Sequence, residues 1–284
     1  MAKKSVYSMN GVRKSPPDVR RYRGVAKVSS NQLPEEFTLA KCKTKNQGVV
    51  QSCVAHALAS CVEFFHKTES KEYEQMSTGF IYGNRRNSWY KGEGMYISKA
   101  LDSLKHYGTT KASDFNNNDE VPKAINEFEE NYDTFASQAY QNRITGYFRL
   151  YDNDSIKATL YQGNPVVFAL TCREDMKIED GKWIVNEKSK AIGGHCMYIY
   201  GWNKDGWKVA NSWSVGWGNA GNIIIPYGTR IEDVYGLQDT FNSTKINESI
   251  KYYQDTLEKL RQEYLEIYSK YGPELPSDKQ KKID

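Results

Sequence analysis

The sequence predicts an α+β protein in which a helical half is followed by a β half. In the first half, apolar residues from Val54 to Phe65 recur at the three- and four-residue steps of a helix. From about Gly146 the pattern changes to short apolar runs bounded by Gly, Asn and Pro, which is typical of strands. Helices that are followed by strands segregate into separate layers. We therefore expect two subdomains with a cleft between them.

Before the tail, three helices and five strands account for the periodic segments. The first helix begins at or beside Cys53, because no Gly or Pro interrupts the chain from there to Glu69. The other helices are expected over Tyr96–Tyr107, which Gly108 closes, and over Val121–Tyr132. The expected strands are Val166–Leu170, Lys182–Val185, His195–Trp202, Trp207–Ala210 and Asn222–Ile225.

Composition places the chain among ordinary globular proteins. It has 284 residues, of which 26% are charged and 39% are hydrophobic, so it can bury a core. No apolar run approaches the about 18–20 residues of a membrane-spanning helix, so we expect no membrane segment. Residues 1–32 hold eight bases and one acid, whereas the remainder holds more acids than bases. This asymmetry disfavours a nucleic-acid-binding fold surface, although the arm alone could bind a polyanion.

Four regions follow from these patterns. A basic N-terminal arm over 1–32 precedes a helical subdomain over 33–145, a β subdomain over 146–244 and a tail over 245–284. The tail predicts an amphipathic helix, because its apolar residues alternate steps of four and three. These residues are Ile246, Ile250, Tyr253, Leu257, Leu260, Tyr264, Ile267 and Tyr271. Such a stripe can dock on its own domain or support self-association, and the sequence leaves both open.

Cysteine usage and the N-terminus bear on the cellular compartment. The five cysteines are too few for a disulfide framework in a chain of this length, and their odd number leaves at least one free thiol. The N-terminus is basic but lacks the apolar stretch of about 7–15 residues that a signal peptide carries. We therefore expect a cytoplasmic, reducing location without disulfides, with release by lysis or another route as an alternative.

Cys53 is the candidate nucleophile. It lies at the expected start of the first helix, where partial positive charge and free N–H groups lower the pKa of a thiol. A zinc site built from Cys53, His56, Cys61 and His66 is disfavoured, because four side chains on one continuous helix cannot converge on a metal ion. Cys61 belongs to the apolar stripe, which assigns it to the core. No metal site is expected.

His195 is the candidate partner of the thiol, because a cysteine nucleophile needs an imidazole base. Two glycines precede it at the start of an apolar strand and allow a close approach of the backbone. If Asn203–Gly206 forms a hairpin turn, antiparallel pairing brings Asn211 alongside His195. Asn211 would then orient the imidazole ring, and Trp213 would shield that hydrogen bond from water.

Several motifs in the correct order carry a family resemblance. The segment 46–57, NQGVVQSCVAHA, is similar to the catalytic-cysteine motif of papain and the cathepsins. The segments 193–196, GGHC, and 207–221, WKVANSWSVGWGNAG, resemble the histidine and asparagine motifs of the same family. Their separations from Cys53 are close to the about 130–150 residues of papain-type enzymes. The resemblance covers roughly residues 33–240. It implies a papain-like fold with a helical left subdomain, a β-barrel-like right subdomain and the active-site cleft between them.

The resemblance also implies roles for individual residues. Cys53 would be the nucleophile, His195 the general base and then acid, and Asn211 the residue that fixes the His tautomer. Gln47 would donate to the oxyanion hole together with the backbone N–H of Cys53. The implied substrate-binding residues are Gly92, Gly94, Met95, Gly194, Cys196 and Trp213.

Two departures from the family pattern concern the surroundings of the thiol. Val50 stands where the family has a disulfide cysteine, and Val54 stands where it has an aromatic residue. The absence of a cysteine at Val50 agrees with a reducing compartment. With this absence and its short arm, the chain resembles a bacterial or phage type of family member that lacks the usual disulfides and long propeptide.

The function that this resemblance implies is a cysteine endopeptidase with a polypeptide substrate and neither metal nor organic cofactor. A thiol acyltransferase on the same triad is one alternative, since an amine can resolve an acyl-enzyme as well as water can. A non-catalytic assembly protein that uses the tail helix is the other. The arm over 1–32 is a candidate short propeptide, and a solvated basic tail is the competing interpretation.

Overall fold

A computed structural model describes residues 8–15, 33–70, 73–85, 92–115, 118–239, 257–266 and 268. The chain divides into two compact units, residues 1–239 and residues 240–284. None of the helices in the described ranges is long and apolar enough to cross a membrane.

The described residues of the first unit contain five helices. They are α1 (Cys53–Ser70), α2 (Thr78–Gly83), α3 (Ile97–Tyr107), α4 (Lys123–Gln141) and α5 (Asn153–Tyr161). The predictions of α1 and α3 are confirmed, and α4 continues well past its expected end at Tyr132. Sequence periodicity missed α2 and α5 because both are short. Each has a side-chain cap at its start, Ser77 accepting from the Phe80 amide and Asp152 from the Ser155 amide.

Eleven strands are present in the described part of the first unit. They are β1 (Val12–Arg13), β2 (Phe37–Thr38), β3 (Met95–Tyr96), β4 (Gly146–Arg149), β5 (Val166–Arg173), β6 (Lys177–Glu179), β7 (Lys182–Ile184), β8 (Ala191–Asn203), β9 (Gly206–Ala210), β10 (Asn222–Pro226) and β11 (Ile231–Gln238). A nine-stranded sheet has the order β4-β11-β5-β8-β9-β10-β7-β6, and β2 pairs with β8 beside this path. All five expected strands are found, with shifted ends.

The hairpin between β8 and β9 matters most for the site. Asn203 pairs with Gly206, so the turn lies where the sequence predicts it. A bulge between Ile199 and Gly201 shifts the register, and Ala210 then pairs with Tyr198. Asn211 follows Ala210 and therefore lies beside the first half of β8.

The hydrophobic core is continuous between the helices and the sheet. Leu58 and Phe65 of α1 belong to the same buried cluster as Phe168 of β5 and Ile199 of β8. Helix α1 crosses this cluster with its N-terminus at the sheet. A second, smaller cluster joins α2 to α4 through Phe80 and Phe128, whose rings lie 4.9 Å apart.

The second unit is described over residues 257–266 and 268, which are helical. The predicted apolar stripe is represented there by Leu257 and Leu260, which are 67% and 56% exposed, and by Tyr264, which is half-buried. The expected helical residues from Ile246 to Thr256 lie outside the described residues, as do Ile267 and Tyr271.

Candidate active site

Cys53 is the first residue of α1 and its side chain is fully buried. The loop before it is tied to the segment after β9, because the backbone amide of Gln47 donates to the Ser212 carbonyl at 2.9 Å. Asn46 and Trp213 form an isolated bridge in the same place. The helix start and the end of β9 are therefore held together by backbone contacts.

The thiol lies directly against β8. The amide of Cys196 donates to Cys53 Sγ at 3.4 Å, which places the sulfur beside the residue that follows His195. His195 is itself fully buried. The tertiary fold thus brings together Cys53 and His195, which are far apart in the sequence.

Asn211 orients the His195 ring. His195 Nε2 and Asn211 Oδ1 are 2.6 Å apart, and Asn211 Oδ1 also accepts the Ser212 amide at 2.7 Å. A backbone N–H can only donate, so this second bond fixes the oxygen end of the Asn211 amide. Nε2 must therefore carry the proton, and the lone pair lies on Nδ1. That Nδ1 atom is buried and has no hydrogen-bond partner within the described ranges.

Burial shifts the pKa values of both the Cys53 thiol and the His195 ring. It raises the pKa of the Cys53 thiol to about 12, against the hydrogen bonds from backbone amides that lower it. Burial lowers the pKa of His195 to about 4, against the raising effect of its bond to Asn211. The lowering of the pKa that the helix start predicts for Cys53 is therefore not seen in this closed form. Desolvation outweighs the helix terminus, and both groups are neutral.

Trp213 covers the imidazole. Its ring stacks on His195 with centroids 4.4 Å apart and an interplanar angle of 26°. Trp183 and Trp217 meet Trp213 edge-on at 5.5 and 5.3 Å. This aromatic cluster excludes water from the His195 ring, as expected from the sequence for Trp213. The parts played by Trp183 and Trp217 were not foreseen.

Gln47 is fully buried. Its Oε1 accepts the Ser212 hydroxyl at 2.6 Å, and its Nε2 donates to the Val50 carbonyl at 3.0 Å. A carbonyl only accepts, so the orientation of the Gln47 amide is fixed. Nε2 has a second N–H, which is the group that an oxyanion hole would require.

Part of the N-terminal arm, residues 8–15, occupies the site. A Cβ atom added to Gly11 would lie 2.5 Å from Cys53 Sγ and 2.9 Å from the Gln51 carbonyl oxygen. Only glycine can pass this close to the thiol. The arm therefore covers the thiol.

The expected substrate-binding loop pairs with the arm. Strand β1 of the arm runs parallel to β3, with Val12 opposite Met95, and the Met95 amide donates to the Gly11 carbonyl at 2.9 Å. Gly94, at a φ of +83°, lies under the arm, since an added Cβ would be 3.0 Å from the Asn10 carbonyl oxygen. Gly92 lies farther away, with an added Cβ 3.5 Å from the Arg13 guanidinium.

The wall of the site opposite the 92–95 loop is formed by Gly193 and Gly194, the two glycines before His195. A Cβ atom on Gly193 would be 2.1 Å from the Met9 carbonyl oxygen, and one on Gly194 would be 2.8 Å from Val12 Cγ1. Cys196 contributes its amide to the thiol, and its own side chain is buried. These positions thus contact a peptide segment, and here that segment belongs to the chain itself.

Sequence reasoning missed the residues that hold the 92–95 loop. Tyr82 donates its hydroxyl to the Glu93 carboxylate, and Arg85 donates to the Gly92 carbonyl. The Val121 amide donates to Glu93 Oε1 at 2.8 Å. No short motif marks these side chains, because they come from separate elements that only the fold brings together.

The remaining histidines and cysteines play other parts. His56 bonds to the Ser52 carbonyl at 3.0 Å, and burial lowers its pKa to about 4. All five cysteines are free, buried thiols. Across the described segments, no group of three or more His, Cys, Asp or Glu side chains could hold a metal ion.

The sequence is similar to those of known cysteine proteases. The sequence profile described as papain family cysteine protease matches residues 33–247. The chain is 38% identical over 79 residues to a gut-specific cysteine proteinase of Caenorhabditis elegans, covering 26% of this chain and 24% of the relative. It is 36% identical over 86 residues to cathepsin B-like protease 1 of Arabidopsis thaliana, covering 28% of this chain and 22% of the relative. The matches thus span about a quarter of each curated relative.

Similarity to a solved structure extends further. Xylellain, a cysteine protease from Xylella fastidiosa, superposes with a TM-score of 0.72 at 22% identity, covering 84% of this chain and 99% of that one. At this identity the similarity concerns the fold.

Proposed function

Because this chain belongs to the papain family of cysteine proteases, we propose that it is a cysteine endopeptidase that hydrolyses peptide bonds of polypeptides through Cys53. One observation carries the proposal. His195 is held by Asn211 in the tautomer that leaves a buried Nδ1 lone pair without a partner among the described residues. The thiol lies against the next residue of the same strand. A nucleophilic thiol needs an imidazole nitrogen that is free to accept its proton, and His195 Nδ1 is such a nitrogen.

The chemistry proceeds in two steps. Cys53 Sγ attacks the substrate carbonyl carbon while its proton passes to His195 Nδ1. The negative charge then develops on the carbonyl oxygen, where the Cys53 amide and the second N–H of Gln47 Nε2 stabilise it. His195 returns the proton to the leaving amine as the peptide bond breaks, which leaves an acyl-thioester on Cys53. Water, deprotonated by His195, attacks this thioester and releases the acid and the thiol.

The other candidate residues bind the substrate in this proposal. Met95, with Gly92 and Gly94, would pair with the substrate backbone, while Gly194 and Cys196 would shape the opposite wall. The contacts that Met95 and these glycines make with the arm, and the bond from the Cys196 amide to Cys53 Sγ, support this assignment. Trp213 would keep water away from the bond between His195 and Asn211.

The arm is, in this proposal, a self-inhibitory segment. Gly11 lies over the thiol, but its carbonyl accepts from the Met95 amide. That carbonyl is therefore engaged at β3 rather than by the oxyanion donors, so attack on it would lack the stabilisation that catalysis needs. A segment bound in this way excludes substrate without being cleaved at the covered bond.

The proposed activity is tested with the full chain carrying Gly11→Val, which removes the arm from the thiol. We expect this variant to cleave a denatured protein, and the addition of Cys53→Ala to abolish cleavage. Cys172→Ala is the matched control, because Cys172 is also a buried thiol, and it should leave cleavage intact. Retained cleavage in the Cys53→Ala chain contradicts the proposal. Product masses that correspond to transfer onto an added amine would identify an acyltransferase instead.

A further inference from the structure

The arm is held at Ser15 as well as at Gly11. Ser15 is buried, as Gly11 is, whereas the three residues between them are half-exposed or exposed. Its amide donates to Asp233 Oδ2 at 2.7 Å, and its hydroxyl oxygen accepts from the Ser98 amide at 3.3 Å. One residue thus satisfies two groups that belong to different elements, β11 and α3.

Helix α3 needs the hydroxyl of Ser15. Its own N-cap residue, Tyr96, makes no side-chain cap hydrogen bond, and no acidic residue lies in its first turn. The first amides of a helix have no partner inside that helix and require an acceptor from elsewhere. Ser15 provides that acceptor from a distant part of the sequence.

Asp233 is built to receive the amide of Ser15. Its carboxylate is buried and accepts from two donors, one on each oxygen, since Arg149 Nη2 donates to Oδ1 at 3.1 Å. Asp233 has a φ of +46°, at a point where a bulge shifts the pairing of β11 with β5. Non-glycine residues rarely adopt this conformation, and bulges redirect side chains out of a strand.

We propose that Asp233 and the first turn of α3 form an anchor site for Ser15, and that this site holds the arm in register over Cys53. The site takes a peptide residue with a free N–H and a small hydroxyl side chain. The inference rests on the proposed function, in which Cys53 is the reacting thiol. Opening of the anchor would release the arm and leave the Asp233 carboxylate facing the cleft.

The test measures how fast Cys53 reacts with a thiol reagent in the folded full chain, by mass spectrometry of its peptide. Labelling requires the arm to open, so its rate reports the fraction of open molecules. Ser15→Ala removes the acceptor for α3, and we expect Cys53 labelling to rise about tenfold, the effect of one hydrogen bond of upper-range strength. Asp233→Asn leaves one acceptor for two donors and should raise the rate further.

Three controls accompany these variants. Lys14→Ala changes an exposed residue of the arm, and Glu232→Gln changes the neighbour of Asp233 that pairs with Arg230; both should label at the wild-type rate. Cys61 is buried in the core, so its labelling in the same sample reports unfolding. Asparagine tolerates a positive φ, and Ser15→Ala keeps the test valid if Asp233→Asn unfolds.

The outcomes separate the anchor from the enzyme activity. Wild-type rates at Cys53 in Ser15→Ala, with Cys61 unreactive, overturn the anchor. Faster labelling of Cys53 without any peptide hydrolysis supports the anchor and contradicts the proposed function. Hydrolysis that rises in step with labelling supports both.

Discussion

At the scale of single residues, the chemistry of Cys53 is set by what covers it. The helix start and the amide of Cys196 favour its thiolate, yet burial raises the pKa of the thiol to about 12. Gly11 is part of this cover because its backbone passes so close to the sulfur. The reactivity of the thiol therefore depends on a residue of the arm, and a substitution there should change it.

Gly11→Val should make Cys53 reactive. Any side chain at this position collides with Cys53 Sγ, so the arm must leave and the thiol regains solvent and a lower pKa. We expect alkylation by iodoacetamide at neutral pH to accelerate on the order of a hundredfold or more. Cys42 and Cys172, which lie away from the arm's glycine, should remain slow in both chains. Equal labelling of all the cysteines would contradict the assignment of Cys53.

Lower pH should open the arm. Burial lowers the pKa of His195 to about 4 from an ordinary value of 6.5, so the closed form resists protonation of the ring. The contribution of the neutral His195 ring to the stability of the closed form is therefore fully present above about pH 6.5. This contribution is lost as the pH falls toward about 4. We expect wild-type labelling of Cys53 by a dipyridyl disulfide to approach that of Gly11→Val over this range. If the ratio of the Cys53 labelling rates in the two chains stays constant over this pH range, protonation of His195 is not coupled to opening of the arm.

At the scale of elements, α1 carries a buried carboxylate as well as Cys53. Glu63 is fully buried and is held by Lys45, by the Tyr73 hydroxyl at 2.6 Å and by the Met76 amide at 2.8 Å. Lys45 lies two residues before Gln47, in the segment that precedes α1. The carboxylate thus ties that segment and the chain after α1 to the helix.

Lys45→Met should destabilise the fold strongly, because it leaves the Glu63 carboxylate buried without its cation. Breaking a buried pair in this way costs about 3–5 kcal/mol. Lys177→Met is the control, since its pair with Glu179 is exposed on both sides and surface ion pairs contribute little to stability. The free energy of unfolding in urea measures both. A loss in Lys45→Met no larger than in the control would contradict a structural role for the pair.

The helix of the tail presents a different case. Leu257 and Leu260 are exposed in the single chain, and their spacing continues the heptad-like stripe of the sequence. We expect Leu257→Asp combined with Leu260→Asp to dissociate an oligomer, measured by sedimentation of the full chain. Glu258→Gln and Arg261→Gln together are a control, since each changes the residue that directly follows one of the two leucines. An unchanged mass in the double aspartate variant would leave the stripe without a role in self-association.

At the scale of the whole molecule, the cleft is assembled from separate stretches of the chain. The loop over 92–95, the glycines before His195 and the start of α1 come from distant parts of the sequence and meet along the arm. The same arm then bridges β11 and α3 through Ser15. Closure of the cleft is therefore a property of the whole first unit, and it couples the two halves.

The sequence by itself determined the elements that follow from local pattern. Helical periodicity and the absence of Gly and Pro predicted α1, and alternating turns and apolar runs predicted the hairpin that carries His195 and Asn211. The motif residues Cys53, His195 and Gln47 could be singled out because their chemistry and order are specific. Short elements such as α5 escaped, since one or two turns leave too little periodicity to separate from a strand.

Only the tertiary structure decided how these residues are used. Burial is a property of all neighbours together, so the high pKa of the Cys53 thiol could not be inferred from its place at a helix start. The arm has no periodic pattern, and its position depends on Gly11 fitting against a sulfur and Ser15 reaching Asp233. Such contacts join residues that are far apart in the chain. The sequence supplies the chemical groups, whereas the fold decides which of them meet and whether water reaches them.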